Sequence, residues 1–217
     1  CSLLKNKLGV KSATMLAKIG TEKRIMLSGM KQDQTEANFL HQGLQPADAI
    51  LIASDLPFMA VLKKLVLSGN PISDGGAIAI GESLKTNSTL EELDLSFCEI
   101  GTKGGKAIGV GLQAGIAVLT NLDLSSNNLA GETGYIKATE VEGNSKEVGA
   151  TVMYQGREMT VSKGIDRDGE LRLADYSGVH AIAGALKFNA VLTSIDVGGN
   201  SLDEEAALGI MRAAREH

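Results

Sequence analysis

Tryptophan is absent from this chain of 217 residues, and Tyr and Phe together supply only seven aromatics. Proline occurs three times and cysteine twice. Two cysteines exclude a disulfide-dense scaffold. A basic excess is also missing: 21 Lys and Arg stand against 26 Asp and Glu, a net charge of -5. A general binder of nucleic acid or of an anionic membrane normally carries a basic surface, so neither partner is expected. No apolar run approaches the roughly 18 to 20 residues that a membrane span needs. What is abundant is glycine, at 26 residues, and a hydrophobic share of 43% that can furnish a core. The expectation is a soluble, cytoplasmic, non-enzymatic chain of one or two domains. It begins at Cys1 without the apolar core or cleavage site of a signal peptide, and reads as an internal piece of a longer polypeptide.

Self-similarity organises the chain. Leu62-x-x-Leu65-x-Leu67-x-x-Asn70-x-Ile72 is followed by Leu90-x-x-Leu93-x-Leu95-x-x-Cys98-x-Ile100. Then come Leu119-x-x-Leu122-x-Leu124-x-x-Asn127-x-Leu129 and Leu192-x-x-Ile195-x-Val197-x-x-Asn200-x-Leu202, the four starts lying 28, 29 and 73 residues apart. Downstream, Gly76, Ala79, Ile80, Leu84, Lys85 and Asn87 match Gly178, Ala181, Ile182, Leu186, Lys187 and Asn189. Alternate leucines of a short strand point the same way, so both enter the core. Asn70, Asn127 and Asn200, with Cys98 in the same register, follow as a structural ladder. A buried Asn there can satisfy the polar backbone of the turn and of neighbouring units. Ala79, Ile80 and Leu84 then fall at helical spacing.

This pattern resembles the leucine-rich repeat, and the unit length with a helix in each copy is similar to the ribonuclease-inhibitor-like subfamily. The resemblance implies an α/β solenoid, or horseshoe, with a parallel β-sheet on its concave face and helices on its convex face. It implies a protein-binding scaffold that needs no cofactor. Ran GTPase-activating proteins and the repeat ends of NOD-like receptors are similar, so a GTPase activator acting on a small GTPase is the alternative.

Weaker copies extend the array. Ile25-x-Leu27 reads as a strand with Met30 at the ladder position, a long polar loop over Lys31 to Leu44, and a helix over Pro46 to Leu56. Asn6-x-Leu8 reads as the tail of an earlier unit, placing Cys1 at the second-leucine position, with a helix near Ser12 to Gly20. A helix over Asp203 to Arg215 turns Ala206, Ile210 and Ala214 inward. No capping unit is visible at either end.

From Leu129 to Gly178 is 49 residues, where the unit beginning at Leu62 uses four. The pattern there changes to period two: Ala150, Val152 and Tyr154, then Met159 and Val161, then Leu171 and Leu173. Turn dipeptides at Gln155-Gly156 and Asp168-Gly169 separate the runs. Residues 131–176 are therefore expected to form a small antiparallel β insert of three or four strands, similar to the small barrels of the SH3, Tudor or KOW type.

The residues flanking the inward leucines should face away from the core. They are Lys64 and Val66; Glu92, Asp94 and Ser96; Asn121, Asp123 and Ser125; and Ser194 and Asp196. Parallel stacking puts Asp94, Asp123 and Asp196 in one row, which Val66 and Met26 continue. Two readings stay open. The row is an acidic stripe that receives a basic partner, or Leu-Asp-Leu-Ser is simply the usual wording of the repeat. Other chemistry finds little footing. Asp166-x-Asp168-Gly169-Glu170 lacks the spacing of a calcium loop, and His41, His180 and His217 lack metal-ligand partners. Cys98 reads as a buried, inert thiol, and the glycines from Gly101 to Gly111 sit where helices pack rather than in a phosphate loop. Asn87-Ser88-Thr89 has the form of a glycosylation site.

Overall fold

Short aliphatic strands alternate with helices along the chain, and in space each pair stacks on the next. The computed structural model describes residues 2–114 and 118–215; the position expected for Cys1, and His217, lie outside them. The order is α1 (Val10–Lys23), β1 (Glu36–Asn38), α2 (Pro46–Asp55), β2 (Lys64–Val66), α3 (Ser73–Leu84), β3 (Glu92–Asp94), α4 (Thr102–Gln113) and β4 (Asn121–Asp123). Then follow β5 (Ile136–Lys137), β6 (Thr151–Tyr154), β7 (Arg157–Lys163), β8 (Glu170–Ala174), α5 (Ser177–Leu186), β9 (Ser194–Asp196) and α6 (Glu204–Arg215).

The strands of the repeats form one parallel sheet in the order β1-β2-β3-β4-β9. Ala37, Leu65, Leu93, Leu122 and Ile195 stand side by side across it. Their side chains share one apolar core with Leu67, Leu95 and Leu124 and with Ile80, Leu84, Ile108 and Ile182 of the helices. Each helix packs on its predecessor, from α1 through α6. Glycines permit the closest approaches. A Cβ on Gly111 would lie 2.4 Å from the Gly81 carbonyl oxygen of α3, and one on Gly109 would lie 2.7 Å from that of Ala181 in α5. The two glycines thus serve opposite flanks of α4.

The ladder holds the loops together. Asn127 Oδ1 accepts the N–H groups of Cys98 and Ile100 at 3.0 and 2.9 Å, and its Nδ2 donates to the carbonyls of Leu95 and Leu124 at 2.9 Å. Asn200 repeats this across the insert, accepting from Leu129 at 3.1 Å and donating to Leu124 and Val197 at 2.9 Å. Cys98 fills the same register with one weak donor, its Sγ lying 3.3 Å from the Leu67 carbonyl. A thiol offers little as an acceptor. The N–H of Ile72 accordingly turns inward to the carbonyl of Asn70, at 2.7 Å.

The N-terminal unit differs from expectation. Ile25-x-Leu27 is not a strand of the sheet. The first strand is Glu36–Asn38, within the expected polar loop, and Ala37 pairs with Leu65 at the regular 28-residue offset. The Asp55 carboxylate, 1% exposed, accepts the N–H groups of Leu27 and Ser28 and the Ser28 hydroxyl at 2.6 to 3.0 Å. Those N–H groups are therefore committed to a side chain rather than to a neighbouring strand. At the other end Ala213, not Ala214, is the buried partner of Ala206 and Ile210 in α6.

Strands β5 to β8 form the antiparallel insert, in the order β5-β8-β7-β6. Gln155 and Gly156, at φ 49° and 72°, make the two-residue turn between β6 and β7. One segment closes both edges: Ile136 pairs with Leu171 of β8, and Glu142 bridges Met153 of β6. The sheet so wraps into a small barrel with its own core of Val141, Val152, Met159, Val161, Leu171 and Leu173. The barrel leaves the array after β4 and returns at α5.

Candidate functional site: the outward face of the parallel sheet

With alternate residues turned to the core, the first and third residues of each strand face outward. The register sets two rows. Glu36, Lys64, Glu92, Asn121 and Ser194 form one; Asn38, Val66, Asp94, Asp123 and Asp196 form the other. Asn38 therefore continues the Asp row, in the place expected for Met26. Glu36 and Asn38 were missed with β1, although subtracting the 28-residue period from Lys64 and Val66 leads straight to them.

A depression of about 330 Å³ lies on this face. Its lining includes Lys64, Val66, Glu92, Asp94, Asn121, Asp123, Ser194 and Asp196, with the backbone edges of Leu65, Leu93 and Leu122. Ser96 and Ser125 are not part of the lining. Ser96 is buried, its hydroxyl bound to Asp94 Oδ1 at 2.7 Å and in contact with Ser68 Oγ at 2.7 Å. Its role is to orient Asp94, not to meet a partner directly.

The three aspartates share one geometry. Oδ1 of each accepts the backbone N–H two residues on: Ser96 at 3.0 Å, Ser125 at 2.8 Å and Gly198 at 2.8 Å. That bond fixes the carboxylate over the sheet. Neighbouring strands are about 4.8 Å apart, so the three negative charges stand in line at close range, where like charges repel. The one ammonium on this face, Lys64, lies 2.6 Å from Glu92 in the other row. Its hydrogen bond to Glu92, helped by the charges of Glu92, Glu36 and Asp94, raises the Lys64 pKa above the usual lysine value. The face carries five carboxylates against that single cation, and the Asp row has no cation of its own among the described ion pairs.

Cys98, Asn87 and Asp166 hold local structure. Burial pushes the Cys98 thiol up to about 12, so it stays protonated and unreactive. Asn87 of the glycosylation-like triplet is 5% exposed, and its Oδ1 accepts the N–H groups of Thr89 and Leu90. Asp166 accepts the N–H groups of Asp168 and Glu170 in the β7–β8 turn. Among the described residues no group of three or more His, Cys, Asp or Glu is placed to hold a metal.

A family model described as Leucine Rich repeat matches residues 59–81 and 86–109, the stretches that carry β2 with α3 and β3 with α4. The chain has a leucine-rich repeat fold. Two solved structures share it. One is titled as the actin-binding site 2 of leiomodin-1, with a TM-score of 0.54 at 18% identity, covering 94% of this chain and 87% of that one. The other is the C-terminal domain of tropomodulin from Caenorhabditis elegans, with a TM-score of 0.52 at 12% identity, covering 96% and 93%. At such identities the likeness is one of fold. In the repeat pattern of this chain the outward rows are the positions on either side of the inward residue of each strand.

Proposed function

We propose that the protein is a protein-binding module whose docking surface is the outward face of the parallel sheet, and that its partner presents a basic segment there. The observation that carries this is the fixed row of Asp94, Asp123 and Asp196 lining the 330 Å³ depression, where Lys64, the cation in the lining, is paired with Glu92 of the other row. Each carboxylate is held in place by a backbone N–H before any partner arrives, so little ordering cost remains at binding. A depression in the middle of the sheet supports a curved stack with strands on the concave side. The unit length of 28 to 29 residues, with a full helix in each unit, supports the ribonuclease-inhibitor-like subfamily. No observation on this chain favours a small GTPase over other protein partners. Actin is the first named protein to try, since a structure of this fold is titled as an actin-binding site.

The test uses the purified chain and its D94N/D123N/D196N variant, with monomeric actin and a fluorescein-labelled nona-lysine peptide as probes. Anisotropy should show peptide binding that weakens with salt. The triple variant should lose roughly tenfold in affinity, the sum of three exposed charge contacts. Equal affinity of the two proteins for every probe that binds would contradict the proposal.

A further inference from the structure

One exposed side chain is hard to explain by folding. Phe97 follows β3 at the rim of the sheet, 61% exposed, with φ at 52°. The same rim position recurs in each unit and is left-handed each time: His41, Gly69, Ser126 and Gly199 have φ of 50°, 69°, 54° and 67°. Its backbone is fixed by the loop ladder, as the N–H of Phe97 donates to the Ser125 carbonyl at 3.0 Å. Glycine adopts this conformation freely, whereas a bulky residue is strained in it. A phenyl ring here therefore costs backbone energy and, exposed, returns little of it through burial. The conformation belongs to the repeat, and the bulky exposed ring placed in it points to a ligand.

The surroundings say which kind. Phe97 directly follows Ser96, whose N–H and hydroxyl both hold Asp94 at the end of the acidic row. Exposed Glu99 lies two residues beyond. Its neighbours along the rim, Gly69 and Ser126, are small. Among the described residues the cation–ring contacts fall on Tyr135, and the aromatic pair is Tyr176 with His180. Among the described residues no cation–ring contact or aromatic pair involves Phe97. An exposed phenyl ring between Asp94 and Glu99 along the chain suits a planar cation, which can stack on the ring and direct its fork of N–H donors to an acid.

We propose that Phe97 is the stacking platform for an arginine of the basic partner segment. The proposal rests on the acidic face being the docking surface. It adds that the site distinguishes arginine from lysine.

The test compares fluorescein-labelled nona-arginine and nona-lysine peptides on wild type, Phe97→Gly and Phe97→Leu. Wild type should bind the arginine peptide more tightly, with about two- to five-fold of that preference coming from the ring. Both variants should lose this part while keeping the lysine affinity. Phe97→Gly should also melt about 2 to 4 °C higher, because it relieves the left-handed strain. An undiminished preference in both variants, or a lower melting temperature for Phe97→Gly, would overturn the proposal. Equal wild-type affinity for the two peptides, with binding still lost in D94N/D123N/D196N, would overturn it and leave the acidic docking face standing. Binding of neither peptide to wild type would overturn both.

Discussion

The ladder residues are not equivalent, and the difference between Asn70 and Cys98 can be measured. Asn70 is fully buried. Its Oδ1 accepts the Leu44 N–H at 2.9 Å, and its Nδ2 donates to the carbonyls of Phe39 and Leu67 at 2.8 and 2.6 Å. Taking about 1 kcal/mol net for each of these three bonds, Asn70→Ala should cost about 3 kcal/mol. Cys98→Ala removes one sulfur and one long bond to Leu67, so about 1 kcal/mol is expected. Both side chains donate to the same Leu67 carbonyl, and each single variant leaves it one partner. The double variant leaves it none, so the pair should cost about 1 kcal/mol more than the sum of the singles. Urea unfolding followed by far-UV circular dichroism reads all three. Equal costs for the two single variants, or strict additivity in the double, would refute the shared-acceptor geometry.

Two further predictions concern burial. Cys98 should resist alkylation in the native protein near pH 8, where a thiol raised to about 12 by burial leaves about one in ten thousand ionised, and should react once urea unfolds the chain. The linkage runs the same way. The unfolded thiol ionises near 9 and the folded one near 12, so the stability it contributes is complete below pH 9 and is lost as the pH climbs from 9 to 12. Gly81→Ala places a Cβ 2.4 Å from the Ala107 carbonyl of α4 and should lower stability by about 2 kcal/mol despite its better helix propensity. Gly184→Ala meets nothing nearer than Gln113 Nε2 at 3.7 Å and should raise stability by about 0.5 to 1 kcal/mol. Similar shifts for these two in thermal melts would contradict the helix contacts described above.

The leucine spacing led directly to β2, β3, β4 and β9, because inward leucines at period two leave a strong mark. It failed at β1 for a physical reason. Glu36-Ala37-Asn38 has no strand-forming residue, and its core position holds only a methyl group, while Ile25-x-Leu27 imitates the motif nearby. What separates the two is Asp55, a side chain 27 residues downstream of Ser28 that takes the N–H groups a sheet would need. The outward Asp row was legible from the same spacing, since register in a parallel stack follows from the period. The burial of Ser96 was not, because it depends on a contact with Ser68 one unit away. Nor was the conformation of Phe97. Nothing in Leu-Ser-Phe-Cys announces a left-handed residue until Gly69 and Gly199 are seen at the same place on the rim.

The proposed docking site is the outward sheet face, not the helices or the barrel. Amide chemical-shift mapping of the 15N-labelled protein with the nona-arginine peptide locates the contact residue by residue. Shifts concentrated on β2, β3, β4 and β9 and at Phe97, fading as salt is added, are predicted. Shifts centred on α3 and α4, or confined to the barrel from Ile136 to Ala174, would contradict this placement.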